Sequence, residues 1–424
     1  MSKTPKRSSI RYDKRKSADS AARSPAPVVT SRPKTPRQPG GAPTTASRVV
    51  SLEALAPIIV RSGRPFDFQA GADPARFPPP STLAGCLRTA WARATGRDFG
   101  LELAELPVAG PLLARPDATG TLRLLAPKPA DAVYLGHGGN ARCLRAAPKA
   151  FDDGTGSDLP AELLPVRLPP GTRGKAAPGP AWWDWNDLLD FRHGDAAPTY
   201  ADLKQRGWSP PPGDRRTHVA IDPVTLAADP GRLFQTEGLD LDPTNAWLSK
   251  NASESGLRLL AYCREPLPEG LVHLGGERRL ARLRPELETA WPAPRPGWFD
   301  AIAKAGGLTL TLLTPALFTA GYRPGWLADD LEGEAPLAPG LRLRLIATAV
   351  ERWQPHSGWD LARNQPRPTR KLISAGATYW FRLIGIPDPK ALAALWLISL
   401  CDADQDQRDG FGLALPAPWT PPPA

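Results

Sequence analysis

The chain has 424 residues, 41% of them apolar, with 52 prolines and 38 glycines. That composition excludes a disordered or fibrous protein and predicts a globular one, rich in loops and short strands because proline removes a backbone donor and fixes φ. The net charge of +10 is concentrated at one end: residues 1–47 carry eleven Lys or Arg against Asp13 and Asp19, which leaves the other 377 residues at about +1. A cationic field over the whole body is therefore excluded, and any affinity for nucleic acid has to reside in local basic patches.

Residues 1–47 hold almost no large apolar side chains and are expected to be a disordered basic arm. Two readings of the arm stay open, a solubility tail and a non-specific phosphate-binding segment. Its run into Ser, Pro and Ala in place of an apolar core predicts no signal peptide. Val49–Arg61 reads as a strand ending at the Ser62-Gly63 turn. In Phe77–Arg88 (FPPPSTLAGCLR), Pro80 stops the loop and Ser81 or Thr82 is placed to cap. Leu83, Leu87 and Trp91 then recur at helical spacing, so a helix starts here. Strand, loop and helix open a ferredoxin-like unit, among many other folds.

Residues 140–212 are Pro- and Gly-rich and read as an insertion with a tryptophan cluster at Trp182, Trp183 and Trp185. Thr217–Leu239 predicts strand, turn, strand. Leu257–Cys263 predicts another strand, with a tight loop at Gly275-Gly276 after it. Leu308–Leu313 (LTLTLL) and Leu341–Val350 (LRLRLIATAV) alternate as half-buried strands do. Ala377–Leu383 is a further strand, and Pro389–Leu400 is expected as a helix with proline at its start. Gly410-Phe-Gly412 is a closing turn. The sum is an α+β protein.

No P-loop, GxGxxG, GxSxG or HExxH occurs, and no cofactor is expected. Cys86, Cys143, Cys263 and Cys401 form no CxxC pair, which points to neither a disulfide framework nor a zinc module and fits a reducing cytoplasm. The longest apolar run, around Ala391–Cys401, is too short to span a bilayer, so a cytoplasmic protein without membrane contact is expected. His137, His193, His218, His273 and His356 are scattered, whereas a metal-independent ribonuclease needs a positioned acid–base pair. Each therefore reads as a surface or hydrogen-bonded histidine. The aspartates of Cys401–Asp406 suggest a calcium loop until Gln407 and Leu413 fill the places of its glycine and bidentate glutamate. They read as a solvated acidic loop.

Several blocks, in order, resemble one family. They are Arg64-Pro65-Phe66 with Phe77–Arg88, Gly231–Glu237 (GRLFQTE), Val272–Arg278 (VHLGGER), and Leu313–Phe318 with Gly321–Pro324. Ser357–Asp360 with Pro366–Pro368, Ser374–Tyr379, and Gly410–Gly412 with Pro418-Trp419 complete the set. Together they are similar to RAMP-superfamily proteins of the type III-B CRISPR (Cmr) module, in the family of its third subunit. The N-terminal arm and the 140–212 segment depart from that pattern, and Ala377 stands where a small polar residue is expected.

The resemblance implies two ferredoxin-like (RRM-like) domains with loop-rich insertions, at 48–300 and 301–424. It implies a non-catalytic subunit that contacts the crRNA 5′ handle, the large polymerase-like subunit and a backbone RAMP subunit. Glycine-rich loops and nearby cations suit such a role, because bare backbone amides approach phosphates closely. Gly275 and Gly276 followed by Arg278, Arg279 and Arg282 form one candidate, and Arg363, Arg367, Arg370 and Lys371 a second. Ser81 and Thr82 at the first helix start, with Arg88 two turns on, are a third, read as a structural cap with a possible RNA contact. Two other classes stay open: a RAMP endoribonuclease that processes crRNA precursors, and a pure scaffold.

Overall fold

The computed structural model describes residues 46–60, 75–136, 140–160, 163–194, 197–241, 256–335, 338–360 and 365–423. The arm up to residue 45, Arg64-Pro65-Phe66, His137 and Arg363 lie outside them. Strand outweighs helix, 38% to 18%, and all the sheets are antiparallel, which makes the protein α+β.

Apolar residues in the first half come in adjacent pairs, and the first sheet explains them. Seven strands run in the order Gly270–His273, Leu280–Pro285, Ala46–Ala54, Arg258–Pro268, Val108–Pro116, Leu122–Pro127 and Trp182–Asp184. Side chains alternate across a strand, so neighbours enter different cores. Val50, Leu52, Leu113 and Leu259 pack with Leu83 and Leu87 of the helix α1 (Pro80–Thr95). Val49, Leu112 and Leu260 pack on the other side, in a core that also holds Leu308, Leu310, Tyr379 and Phe381 of a second sheet. A sheet covered on both faces has no solvent side to make polar.

The second sheet has the order Glu332–Glu334, Arg342–Ala349, Thr378–Ile384, Gly307–Leu312, Leu413–Pro418 and Ile398–Ser399. Its central strand Gly307–Leu312 is buried along its whole length, threonines included, and so is not half-buried as the Leu–Thr alternation predicts. Neighbouring strands and packed elements cover both of its faces. The expected helix at 389–400 also ends early, at Ala394. Leu397 turns left-handed at φ 54, and Ile398–Ser399 pairs with Leu413–Pro418 as an edge strand. Burial of Leu395, Ile398 and Leu400 in the shared core outweighs the helical propensity of the run.

The 140–212 segment reaches deep into the molecule. Trp182–Asp184 is the last strand of the first sheet, and Trp183 is wholly buried against Tyr134 and Phe191. The helix that follows, α2 (Trp185–His193), carries Arg192, whose Nη atoms donate to both Asp131 carboxylate oxygens at 2.8 and 2.7 Å and to Thr378 Oγ1 at 2.8 Å. One buried guanidinium thus ties this segment to the second sheet.

A third, small sheet has the order Ala316–Leu317, Arg370–Ile373 and Gln354–His356. It carries the second basic cluster, and Gln354–His356 is its outer edge. Among the described residues no helix is long and apolar enough to cross a membrane.

Candidate nucleic-acid interface

The loop from Leu274 to Arg279 leaves the edge strand of the first sheet, and backbone geometry shapes it. Gly275 has φ 78, and a Cβ there would meet the Ile59 carbonyl oxygen at 2.5 Å, so no side chain fits. The Gly276 amide donates to the same carbonyl at 2.7 Å. The glycine pair therefore packs the loop onto the 58–60 segment, and Gly276 has no bare amide to offer a phosphate, contrary to expectation. Glu277 and Arg278 follow in the left-handed region at φ 55 and 54. Two consecutive non-glycine residues there store strain, of the kind that persists where the surroundings enforce it.

That backbone divides the arginines. Arg279 folds inward to Glu277 at 3.3 Å, and Arg284 bonds Glu53 at 2.9 Å. Arg278 and Arg282 are exposed and make no ion pair among the described residues. Glycine at 278 adopts a left-handed φ at no steric cost, whereas an L side chain costs about 1–2 kcal/mol there. Arg278→Gly is accordingly expected to raise stability by about 0.5–1 kcal/mol, net of glycine's backbone entropy. Urea titration checks it, and a loss of stability would show that the arginine side chain contributes more to the fold than its strain costs.

The second cluster splits as well. Arg367 is exposed, with its amide on the Gly358 carbonyl at 2.8 Å and its own carbonyl accepting from Ser357 Oγ at 2.6 Å. Its guanidinium makes no ion pair among the described residues. Arg370 is committed to Asp406 through two bonds of 2.7 and 2.8 Å. Lys371 lies 5.5 Å from the ring centre of Trp353. His356 faces Arg370 across the strand pair and meets the Phe411 ring edge-on at 5.3 Å. Burial, then the charges of Arg370, Arg367 and Arg76, hold its pKa down to about 4, against an opposing pull from Asp406.

The folded pKa of His356 lies below the ordinary 6.5, so between pH 6.5 and about 4 the unfolded chain takes up a proton that the native state refuses. Stability contributed by neutral His356 is present above pH 6.5 and is lost as the pH falls through that window. A His356→Phe variant should show a flatter stability profile from pH 7 to 4.5. Parallel wild-type and variant profiles would mean that another group governs acid sensitivity.

The third candidate is structural. The N-cap of α1 is Pro79, Pro80 is its first residue, and neither Ser81 nor Thr82 caps it through a side chain. Proline's fixed φ and missing amide suit the first helical position, which places the N-cap two residues before Ser81 and three before Thr82. Arg88 is buried: Nη1 lies 2.5 Å from Asp409 Oδ1, Nε donates to Leu106 O at 2.9 Å and Nη2 to Arg408 O at 3.0 Å. Its donors face the protein interior and not a ligand.

Asp406 overturns the reading of Cys401–Asp406 as a solvated acidic loop, and Asp409 just beyond the run behaves as it does. Both are buried, on or beside the short helix α3 (Asp404–Arg408), and both neutralise arginines far away in sequence. Asp402 accepts from the Thr319 and Gly325 amides at 2.7 and 2.6 Å. Alternating aspartates look alike whether solvated or paired, since their partners lie elsewhere in the chain. Arg76 and Trp353, both missed in the sequence, stand beside the second cluster; nothing local marks either one.

The four described histidines lie on separate elements. His193 is beside Trp298, His218 bonds Thr236, His273 contacts the Arg278 carbonyl and His356 meets Phe411. Among the described residues of the two basic clusters, the antiparallel α+β scaffold leaves Arg278, Arg282, Arg367 and Lys371 exposed, while Arg279 and Arg370 are paired with Glu277 and Asp406.

The sequence matches the family model described as CRISPR-associated protein (Cas_Cmr3) over residues 50–419. The chain belongs to this family. No curated protein matches it. Similar solved structures include a chain of the cryo-EM structure of the type III-B Cmr-beta bound to cognate target RNA, at 14% identity and TM-score 0.41. A second is the same complex bound to cognate target RNA and AMPPnP, state 1, at 13% identity and the same TM-score. Each comparison covers 78% of this chain and 86% of the other.

Proposed function

We propose that the protein is the guide-RNA-holding subunit of a type III-B CRISPR effector. It binds the crRNA 5′ handle, acts by binding and not by cleavage, and bridges the large polymerase-like subunit to the backbone RAMP subunits in the cytoplasm. The observation that carries this reading is the family match over residues 50–419. Its physical support is the set of exposed arginines that make no ion pair among the described residues, since single-stranded RNA is held by cations along its backbone. In this reading residues 48–300, with the seven-stranded sheet and α1, form one ferredoxin-like domain, and residues 301–424, with the six-stranded sheet, form the other.

Incubation of the purified chain with a repeat-containing transcript, without metal, tests the reading. Protection of the repeat-derived 5′ end is the expected result, and a discrete cut would make the protein a RAMP endoribonuclease instead. Neither protection nor cutting would leave a scaffold. Affinity capture of the tagged protein with sequencing of the attached RNA then identifies the handle.

A further inference from the structure

Trp353 is 46% exposed, and no other tryptophan whose burial is described is exposed. It lines a cleft of about 370 Å³ with Ala320, Gly321, Tyr322, Lys371 and Ile373. That size lies at the low end of the range for small-ligand clefts, roughly 300–1,000 Å³. Ile373 is buried at the small sheet's inner strand, and Tyr322 is held in place where its carbonyl accepts the Tyr379 hydroxyl at 2.9 Å. Glu351 and Arg352 line it as well, and with the Lys371 ammonium over the indole the two cations outnumber the one carboxylate, which leaves the mouth net cationic.

An exposed indole beside two cations in a small cleft suits a planar, electron-rich group attached to an anion. That is the chemistry of an unpaired nucleobase and its phosphate. Strand alternation adds a direction. On Arg370–Ile373, Arg370 shares one face with His356, while Lys371 and Trp353 share the other. A strand of RNA crossing the Gln354–His356 edge would pass from Arg367 on one side to Trp353 on the other.

We propose that the cleft at Trp353 takes a single nucleobase turned out of the bound RNA, stacked on the indole, with Lys371 and Arg352 on its phosphate. Trp353 is then a base-stacking contact, which accepts any base because each has a π-face. This rests on the RNA-binding reading above and adds a base-stacking site to its phosphate contacts.

The test is fluorescence anisotropy of the full chain with a labelled, repeat-derived single-stranded RNA, and with a series of that RNA carrying one abasic position each. Stacking on an aromatic side chain contributes enough that Trp353→Ala should weaken binding roughly tenfold to a hundredfold. Trp353→Phe should keep most of the affinity. One abasic position should weaken the wild type by a similar factor and cost Trp353→Ala nothing further. Trp353→Leu retains apolar volume without a π face, so it should reproduce the loss even if the alanine variant folds poorly. Wild-type affinity in both Trp353→Ala and Trp353→Leu, or abasic losses that simply add to theirs, would overturn the stacking site and leave the RNA-binding reading standing. Normal RNA binding with loss of a partner subunit would make the cleft a protein contact and would also overturn it. No RNA binding by the wild type would overturn the RNA-binding reading, and the stacking site with it.

Discussion

Arg192→Ala is expected to lower the stability of the protein by about 3–5 kcal/mol, the cost of leaving one member of a buried ion pair without its partner. The side chains of Arg192 and Asp131 are 3% and 1% exposed, so water cannot replace the lost guanidinium. Three hydrogen bonds disappear together, two to Asp131 and one to Thr378. The carboxylate left behind is desolvated, and its only remaining described side-chain donor is the Thr378 hydroxyl at 3.2 Å. Replacing both charges, as in Asp131→Leu with Arg192→Met, should cost far less, because well-packed apolar pairs often equal buried ionic ones. Urea midpoints of the two single variants and the double variant measure the coupling. RNA affinity at a temperature where all variants are folded should not change. A single-variant loss below about 1 kcal/mol would mean that the 140–212 segment moves away from the second sheet at little cost.

The other large effect is expected at the surface, and on binding alone. Arg278→Glu, Arg282→Glu and Arg367→Glu should each weaken RNA binding about tenfold or more, since a charge-assisted contact contributes about 1.5–3 kcal/mol. Each lost phosphate contact should also reduce the salt slope by about 0.7 for a single strand. Melting temperatures should barely move, because exposed charges seldom contribute more than about 1 kcal/mol to folding. Arg279 and Arg370 make the contrast, since their guanidinium groups are held by Glu277 and Asp406. Reversing those two should destabilise the fold, and RNA affinity should change little at a temperature where the variants are folded. Unchanged affinity and slope in all three exposed variants would place the RNA path elsewhere on the chain.

Local information was enough for some of this. The helix at Pro80, the tight turn at Gly275-Gly276, the turn at Gly410-Phe-Gly412 and most strands follow from proline chemistry, glycine's access to positive φ and apolar spacing, all of which act within a few residues. The exposed arginines of the two basic clusters were legible for the same reason, as was the ordered set of blocks that marks the family.

Which arginines are available to a ligand was decided by the tertiary structure. Arg278 and Arg279 are adjacent, yet one is exposed and the other pairs with Glu277, and the difference comes from two left-handed residues, Glu277 and Arg278, that follow a glycine pair packed on Ile59. Arg88 and Arg370 read as cations near RNA until Asp409 and Asp406 arrive from 321 and 36 residues away. Gly307–Leu312 alternates like a strand with a wet face, yet packing leaves it none. The helix expected at 389–400 stops short because an edge position beside Leu413–Pro418 is open to Ile398–Ser399. In each case the deciding term is long-range: a charge partner, a covered face or a free sheet edge. Composition, charge and short spacings, by themselves, determined an α+β protein with basic loops. Only the folded chain determined which of those cations are neutralised, because the energy of a buried charge depends on partners that sequence distance conceals.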